Sequence, residues 1–188
     1  MSNNSDTMDV FGFWIYILSD CVLFATIFAV YAALNANMYG GVGLKGLFDL
    51  SYVLTETSAL LISSFTCGLA IMAMYKNNLK QVMLWLMATF LLGFAFIGME
   101  INEFINLTAE GHSWQTNASL SSFFTLVGTH GLHVLIGLLW MAVIILQLLI
   151  FELTPVLRRR LTYFALFWAF LDIIWIFVYI IVYLMGAI

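Results

Sequence analysis

The sequence predicts an all-α polytopic membrane protein: one domain over residues 1–188 with five transmembrane helices, a cytoplasmic N-terminus and a periplasmic C-terminus. Three observations carry this. Hydrophobic residues make up 64% of the chain and charged residues 9%, against roughly 45–50% apolar and 25% charged in a soluble domain. Five stretches reach the roughly 20 mostly apolar residues that a helix needs to cross a bilayer. Five of the six basic residues fall in the second and fourth connections, on one side of such a bundle, and cytoplasmic loops carry the Lys/Arg excess.

The five stretches run about 10–34, 51–75, 82–105, 120–151 and 161–185. The first is expected to remain in the mature chain. It is preceded by Asp6 and Asp9 without a Lys or Arg and is interrupted by Asp20, which is not the pattern of a cleaved signal peptide. The connections are a Gly-rich loop around "YGGVGLKG", a tight turn "KNNLK", a polar loop "NLTAEGHSWQTNAS", and a short basic link ending in Arg158, Arg159 and Arg160. None has room for a soluble domain. Cys21 and Cys67 both lie in apolar stretches and read as small buried hydrophobes, not a disulfide. The formal charge of −4 names no partner, and no basic face is laid out for nucleic acid.

With about 1.5 Å of rise per residue, the ionisable residues sort by depth. Asp20 and Asp172 each lie roughly ten residues in from the cytoplasmic face, and His130 lies near mid-membrane with His133 one turn deeper. Glu56, Glu100 and Glu103 fall in the outer third. An ionisable group within a spanning helix costs about 2.5–3.5 kcal/mol on insertion scales, so each should face protein or water with a partner. His130, His133, Gly137 and Trp140 share one helical face, able to pack closely on a neighbour.

Two chemistries compete for these groups. The histidines could ligate a metal or haem, but such a site wants further ligands at defined spacing, and no Glu-x-x-His occurs. His112, the third histidine, lies in a loop. Hydrogen bonding to carboxylates of other helices is therefore the better reading, and no metal, cofactor or catalytic residue is expected in the chain. The carboxylates could relay protons, or Asp20 and Asp172 with His130 between them could lock helices together. The lock is favoured, because hydrocarbon penalises any polar group without a partner. Arg158, Arg159 and Arg160 suit lipid headgroups or simple anchoring at the membrane surface.

Five motifs then bring a known family into view. "WIYILSDCVLF" (14–24), "ETSALLISSFT" (56–66), "GMEINEF" (98–104), "GTHGLHVLIG" (128–137) and "FWAFLDIIW" (167–175) resemble, in order and spacing, subunit III of the haem–copper terminal oxidases. The likeness covers nearly the whole chain and is strongest to the short, five-helix form of the ubiquinol-oxidising, cytochrome o-type branch. The resemblance implies an accessory subunit without redox chemistry, packed on the catalytic subunit I with subunits II and IV nearby, and holding phospholipid. It places haem and copper in subunit I, with ubiquinol as substrate of the complex, in a bacterial inner membrane. Subunit III of a menaquinol or cytochrome c oxidase is the near alternative.

Residue by residue, Asp20 matches a family carboxylate, usually Glu, of carbodiimide-reactive character. Glu103, His130, His133 and Asp172 also match family positions. Ala169 stands where the family's last-helix motif has His, so any polar contact of that side chain is absent; Glu56 stands where longer relatives commonly have Asn. The rival from residues alone is a free-standing proton-coupled transporter. Such proteins usually show internal repeats and broken midplane helices. Here the helix count is odd, no two segments look alike, and Pro155, the sole proline, lies at a helix end.

Overall fold

Hydrocarbon offers backbone amides no water, so a chain this apolar must satisfy them within helices. The computed structural model describes residues 2–36, 50–109, 111, 115 and 118–184. Five long helices account for nearly all of them: α1 Ser2–Ala36, α2 Leu50–Tyr75, α3 Leu79–Ala109, α4 Ala118–Phe151 and α5 Pro155–Val178. A π-helical segment, Tyr179–Leu184, continues α5. All five are long and apolar enough to cross a membrane. The Gly-rich first connection, Lys45 and His112 lie outside the described residues.

The helices overrun the apolar stretches that predict them. The third begins at Leu79, not 82, and ends at Ala109, not 105; the fifth begins at Pro155, not 161. Hydropathy marks the width of the hydrocarbon, whereas capping decides where a helix ends. Helix α2 closes on a Schellman pattern: Asn77 is left-handed (φ 56°), with Asn78 N donating to Ala73 O and Asn77 N to Met74 O. Asn78 then starts α3, its Oδ1 accepting from Gln81 N at 3.2 Å. Thr154 caps α5 through Oγ1, which accepts from Leu157 N at 3.3 Å, and Pro155 occupies the first turn. The three arginines expected in a link are therefore helical.

Arg158 ties the two basic connections together. Its guanidinium donates to Met74 O at 3.4 Å and to Asn77 Oδ1, placing positive charge on the exposed carbonyl end of α2. Helices α2 and α3 form the most extensive pairing; α5 packs on α2 and α4, and α1 packs mainly on α4.

Lipid is as apolar as Leu, so helix association in a membrane relies on close packing and polar contacts. Trp168 supplies both. Its ring lies between Gly93 of α3 and Gly137 of α4, where an added Cβ would stand 2.9 Å from ring carbons at either position. Its Nε1 donates to Ser63 Oγ of α2 at 3.1 Å. One side chain thus joins four helices. One turn pair along, Trp175 Nε1 donates to Thr57 Oγ1 at 3.2 Å. Cys67 is buried, as expected, but Cys21 is exposed, because Asp20 beside it takes the inward face of α1.

Candidate functional site

The ionisable residues fall into three groups. In the first, His133 Nδ1 meets Thr129 O at 2.8 Å; a carbonyl can only accept, so Nδ1 carries the proton and Nε2 is turned outward. Nε2 faces Asp20 Oδ2 at 3.7 Å across the α1–α4 interface. Asp20 also takes a hydrogen bond from Tyr16, one turn back on α1. Asp20 is buried, and His133 is partly exposed.

In the second group, Asp172 is hydrogen-bonded to Ser64, linking α5 to α2. Asp20 and Asp172 therefore do not form the expected lock across His130. Equal depth is not equal direction: Asp20 looks toward α4 and Asp172 toward α2. His130 is fully buried and neither ring nitrogen has a hydrogen-bond partner among the described residues. Aromatic rings surround it, with centroids at 5.0 Å for Trp175, 6.0 Å for Phe96 and 6.3 Å for Phe24. Ala169 is exposed, so a histidine there would point away from this interior.

The third group holds Glu56 of α2 and Glu100 and Glu103 of α3, all buried. Glu103 Oε2 accepts from Tyr183 OH at 2.9 Å, which fastens the π-helical end of the chain to α3. The three carboxyls lie close enough to interact electrostatically. Glu100 rests on Gly131, where an added Cβ would stand 2.6 Å from Oε1. It thus lies beside the residue that follows His130, so the central and outer layers expected from depth adjoin and are not separate.

The sequence reading missed the hydroxyl row of α2. Ser63 Oγ donates to Thr89 O at 3.2 Å, the hydroxyls of Thr66 and Thr89 meet at 2.8 Å, and Tyr52 OH donates to Met99 O at 3.1 Å. These bonds staple α2 to α3. The signal was present in "ETSALLISSFT", where Ser63 and Thr66 stand one helical turn apart, and in the small Gly93. Tyr183 had no local signal. The basic row is engaged with protein: Arg160 donates to Gln147 Oε1 at 3.1 Å and Arg159 faces Asp9 at 3.8 Å.

No three His, Cys, Asp or Glu side chains among the described residues are grouped as a metal ion would require. Ser63, Thr66, Trp168, Trp175 and Tyr183 each join one helix to another, which is an arrangement for holding a bundle in a fixed form.

Comparison with known proteins agrees with this geometry. The family described as cytochrome c oxidase subunit III matches residues 6–187. Among curated relatives, cytochrome bo(3) ubiquinol oxidase subunit 3 of Pseudomonas aeruginosa is 54% identical over 186 residues, covering 99% of this chain and 89% of the relative. The protein of that name in Pseudomonas putida is 46% identical, covering 98% of this chain and 89% of the relative. Quinol oxidase subunit 3 of Bacillus subtilis (strain 168) is 44% identical, covering 99% and 92%. Matched from residue 6 to residue 187 and closely similar along their length to these proteins, the chain belongs to the cytochrome c oxidase subunit III family.

Proposed function

We propose that the chain is the non-catalytic subunit III of a haem–copper ubiquinol oxidase, which oxidises ubiquinol, reduces oxygen to water and translocates protons. The observation that carries the reading is full-length similarity to relatives whose names specify a ubiquinol oxidase, at 54% and 46% identity. The interior supports an accessory role: its tryptophans, hydroxyls and most carboxyls connect neighbouring helices of one bundle. Haem and copper belong to subunit I. His133 has one nitrogen on Thr129 O and the other toward Asp20, and His130 is walled by rings, an arrangement ill suited to ligating either group.

The chain acts as a single unit in the bacterial cytoplasmic membrane. The end carrying Lys76, Lys80 and the three arginines faces the cytoplasm, since basic residues are retained on that side; the N-terminus is then cytoplasmic and the C-terminus periplasmic. Its exposed apolar side chains, among them Phe65, Phe94 and Leu132, face acyl chains or subunits I, II and IV. The arginine row lies at the membrane surface, where it meets lipid headgroups.

Mass spectrometry of the gently solubilised complex tests this. Co-purification with a large haem-bearing subunit is the expected result, and a lone oligomer of this chain refutes it. Oxygen uptake by the same preparation with ubiquinol, menaquinol or reduced cytochrome c then identifies the donor.

A further inference from the structure

Between α3 and α4 the surface is hollowed by an open groove of about 250 Å³ walled by Ile97, Ile101, Leu132 and Leu135. Its floor is the carboxyl of Glu100 lying on Gly131. Glu100 is only 3% exposed, and its Oε1 has no hydrogen-bond partner among the described residues. A second hollow, of about 470 Å³, shares Ile101 and Phe104 with the first and carries it toward Thr108 at the end of α3. A buried acceptor without a donor is costly in hydrocarbon. Gly131 is what admits it, since any side chain there would collide with the carboxyl.

The occupant can be argued from depth and charge. Glu100 lies nine residues before the end of α3, about 14 Å along the helix, well below the phosphate level of a bilayer. No Lys or Arg lines either hollow, so an anionic headgroup has nothing to bind. An acyl chain fits the walls but carries no donor. What satisfies both is a neutral hydroxylated ring on an apolar tail. An apolar cavity of about 150 Å³ admits benzene, so this groove has room for a substituted ring.

We propose that the α3–α4 groove is a binding site for a membrane-dissolved quinol, its ring between Ile97, Ile101 and Leu132 and one ring hydroxyl donating to the Glu100 carboxyl. The site holds quinol without oxidising it, as a local store beside the catalytic subunit. It rests on the quinol-oxidase reading above.

The test uses the purified whole complex and a ring-azido ubiquinol as photoprobe, with two variants. Glu100→Leu removes the acceptor. Gly128→Leu fills the groove and leaves Glu100 in place; its Cβ meets only Phe104, at 3.9 Å. The expected result is labelling of α3 and α4 peptides that unlabelled ubiquinol competes away. Labelling should fall about ten-fold in either variant, the loss of one strong hydrogen bond or of the space itself. Oxygen uptake at saturating ubiquinol should be unchanged. Where Glu100→Leu impairs assembly, Gly128→Leu carries the comparison. A complex that oxidises ubiquinol but shows no labelling here, equal labelling in assembled variants, or competition by a fatty acid in place of ubiquinol overturns the proposal and leaves the parent reading intact. A wild-type complex that takes up no oxygen with ubiquinol overturns that reading itself.

Discussion

Substituting Gly93 by Ala tests whether Trp168 is the piece that joins the bundle. The new methyl carbon would lie 2.9 Å from Cζ2 of Trp168 and 3.0 Å from Cη2, and 3.0 Å from Leu138 Cδ2. Carbon atoms prefer separations of about 3.5–4.0 Å, so some 0.5 Å or more must be recovered. Leu138 can rotate, but the tryptophan has little room to retreat: it also packs on Gly137, where an added Cβ would stand 2.9 Å from Cζ3, and Nε1 is held by Ser63. Overpacking of this kind costs about 1–3 kcal/mol. For a chain of this size that corresponds to a drop of a few degrees in unfolding midpoint, at about 2–4 °C per kcal/mol. The buried thiol of Cys67 provides the assay. In a Cys21→Ser background, a thiol-reactive dye should become fluorescent only when the bundle opens. Trp168→Phe removes the crowded part of the ring as well as the bond to Ser63, so it should destabilise alone yet relieve the Gly93→Ala penalty, with a coupling of about 1 kcal/mol or more between the two sites. Strict additivity, or a Gly93→Ala midpoint equal to wild type, would refute the argument.

Other outcomes follow from the same contacts. Glu103→Leu and Tyr183→Phe should each lower stability by about 1–2 kcal/mol through one lost buried hydrogen bond, and the double variant should cost little more than either single one by the same dye assay. Thr154→Ala should destabilise by about 1 kcal/mol through loss of the α5 cap. Glu152→Gly should do the opposite by about 0.5–1 kcal/mol, because Glu152 holds a left-handed conformation (φ 55°) that glycine adopts without strain. Asp20→Asn should leave oxygen uptake and proton ejection nearly unchanged while complex stability falls by about 1–2 kcal/mol. A large loss of either activity in a normally assembled complex would contradict the accessory role.

Helix number and approximate position were legible because hydrocarbon imposes a length and an apolarity that few other constraints mimic. Helix ends were not read from those stretches, since they depend on Asn77, Asn78, Thr154 and Pro155, which hydropathy treats only as polar interruptions. The interior was half legible. The cost of burying charge identifies Asp20, Asp172, His130 and the three glutamates as residues that should face protein, and depth follows from residue counting. Partnership requires the rotation of each helix about its axis as well. That rotation is set by where Trp168 and Trp175 find glycines and hydroxyls on three other helices, so Asp172 meets Ser64 and not His130. Tyr183 reaches Glu103 from eighty residues away, a pairing that no local pattern encodes.

The pairing of α1 with α4 has a consequence in time. Ribosomes deliver helices to the membrane in order, and α2 and α3 can pair as a hairpin as soon as both have emerged. Asp20 has to wait. His133 is synthesised roughly a hundred residues later, which at about 5–20 residues per second leaves the aspartate without that neighbour for some 5–20 s. For that interval α1 carries an acidic group in or near lipid with only its own Tyr16 for company, at an insertion cost of about 2.5–3.5 kcal/mol. Biogenesis of this subunit therefore contains a stage in which the first helix is the least settled part of the nascent chain. It is the stage at which an insertase or an already assembled subunit has most to contribute.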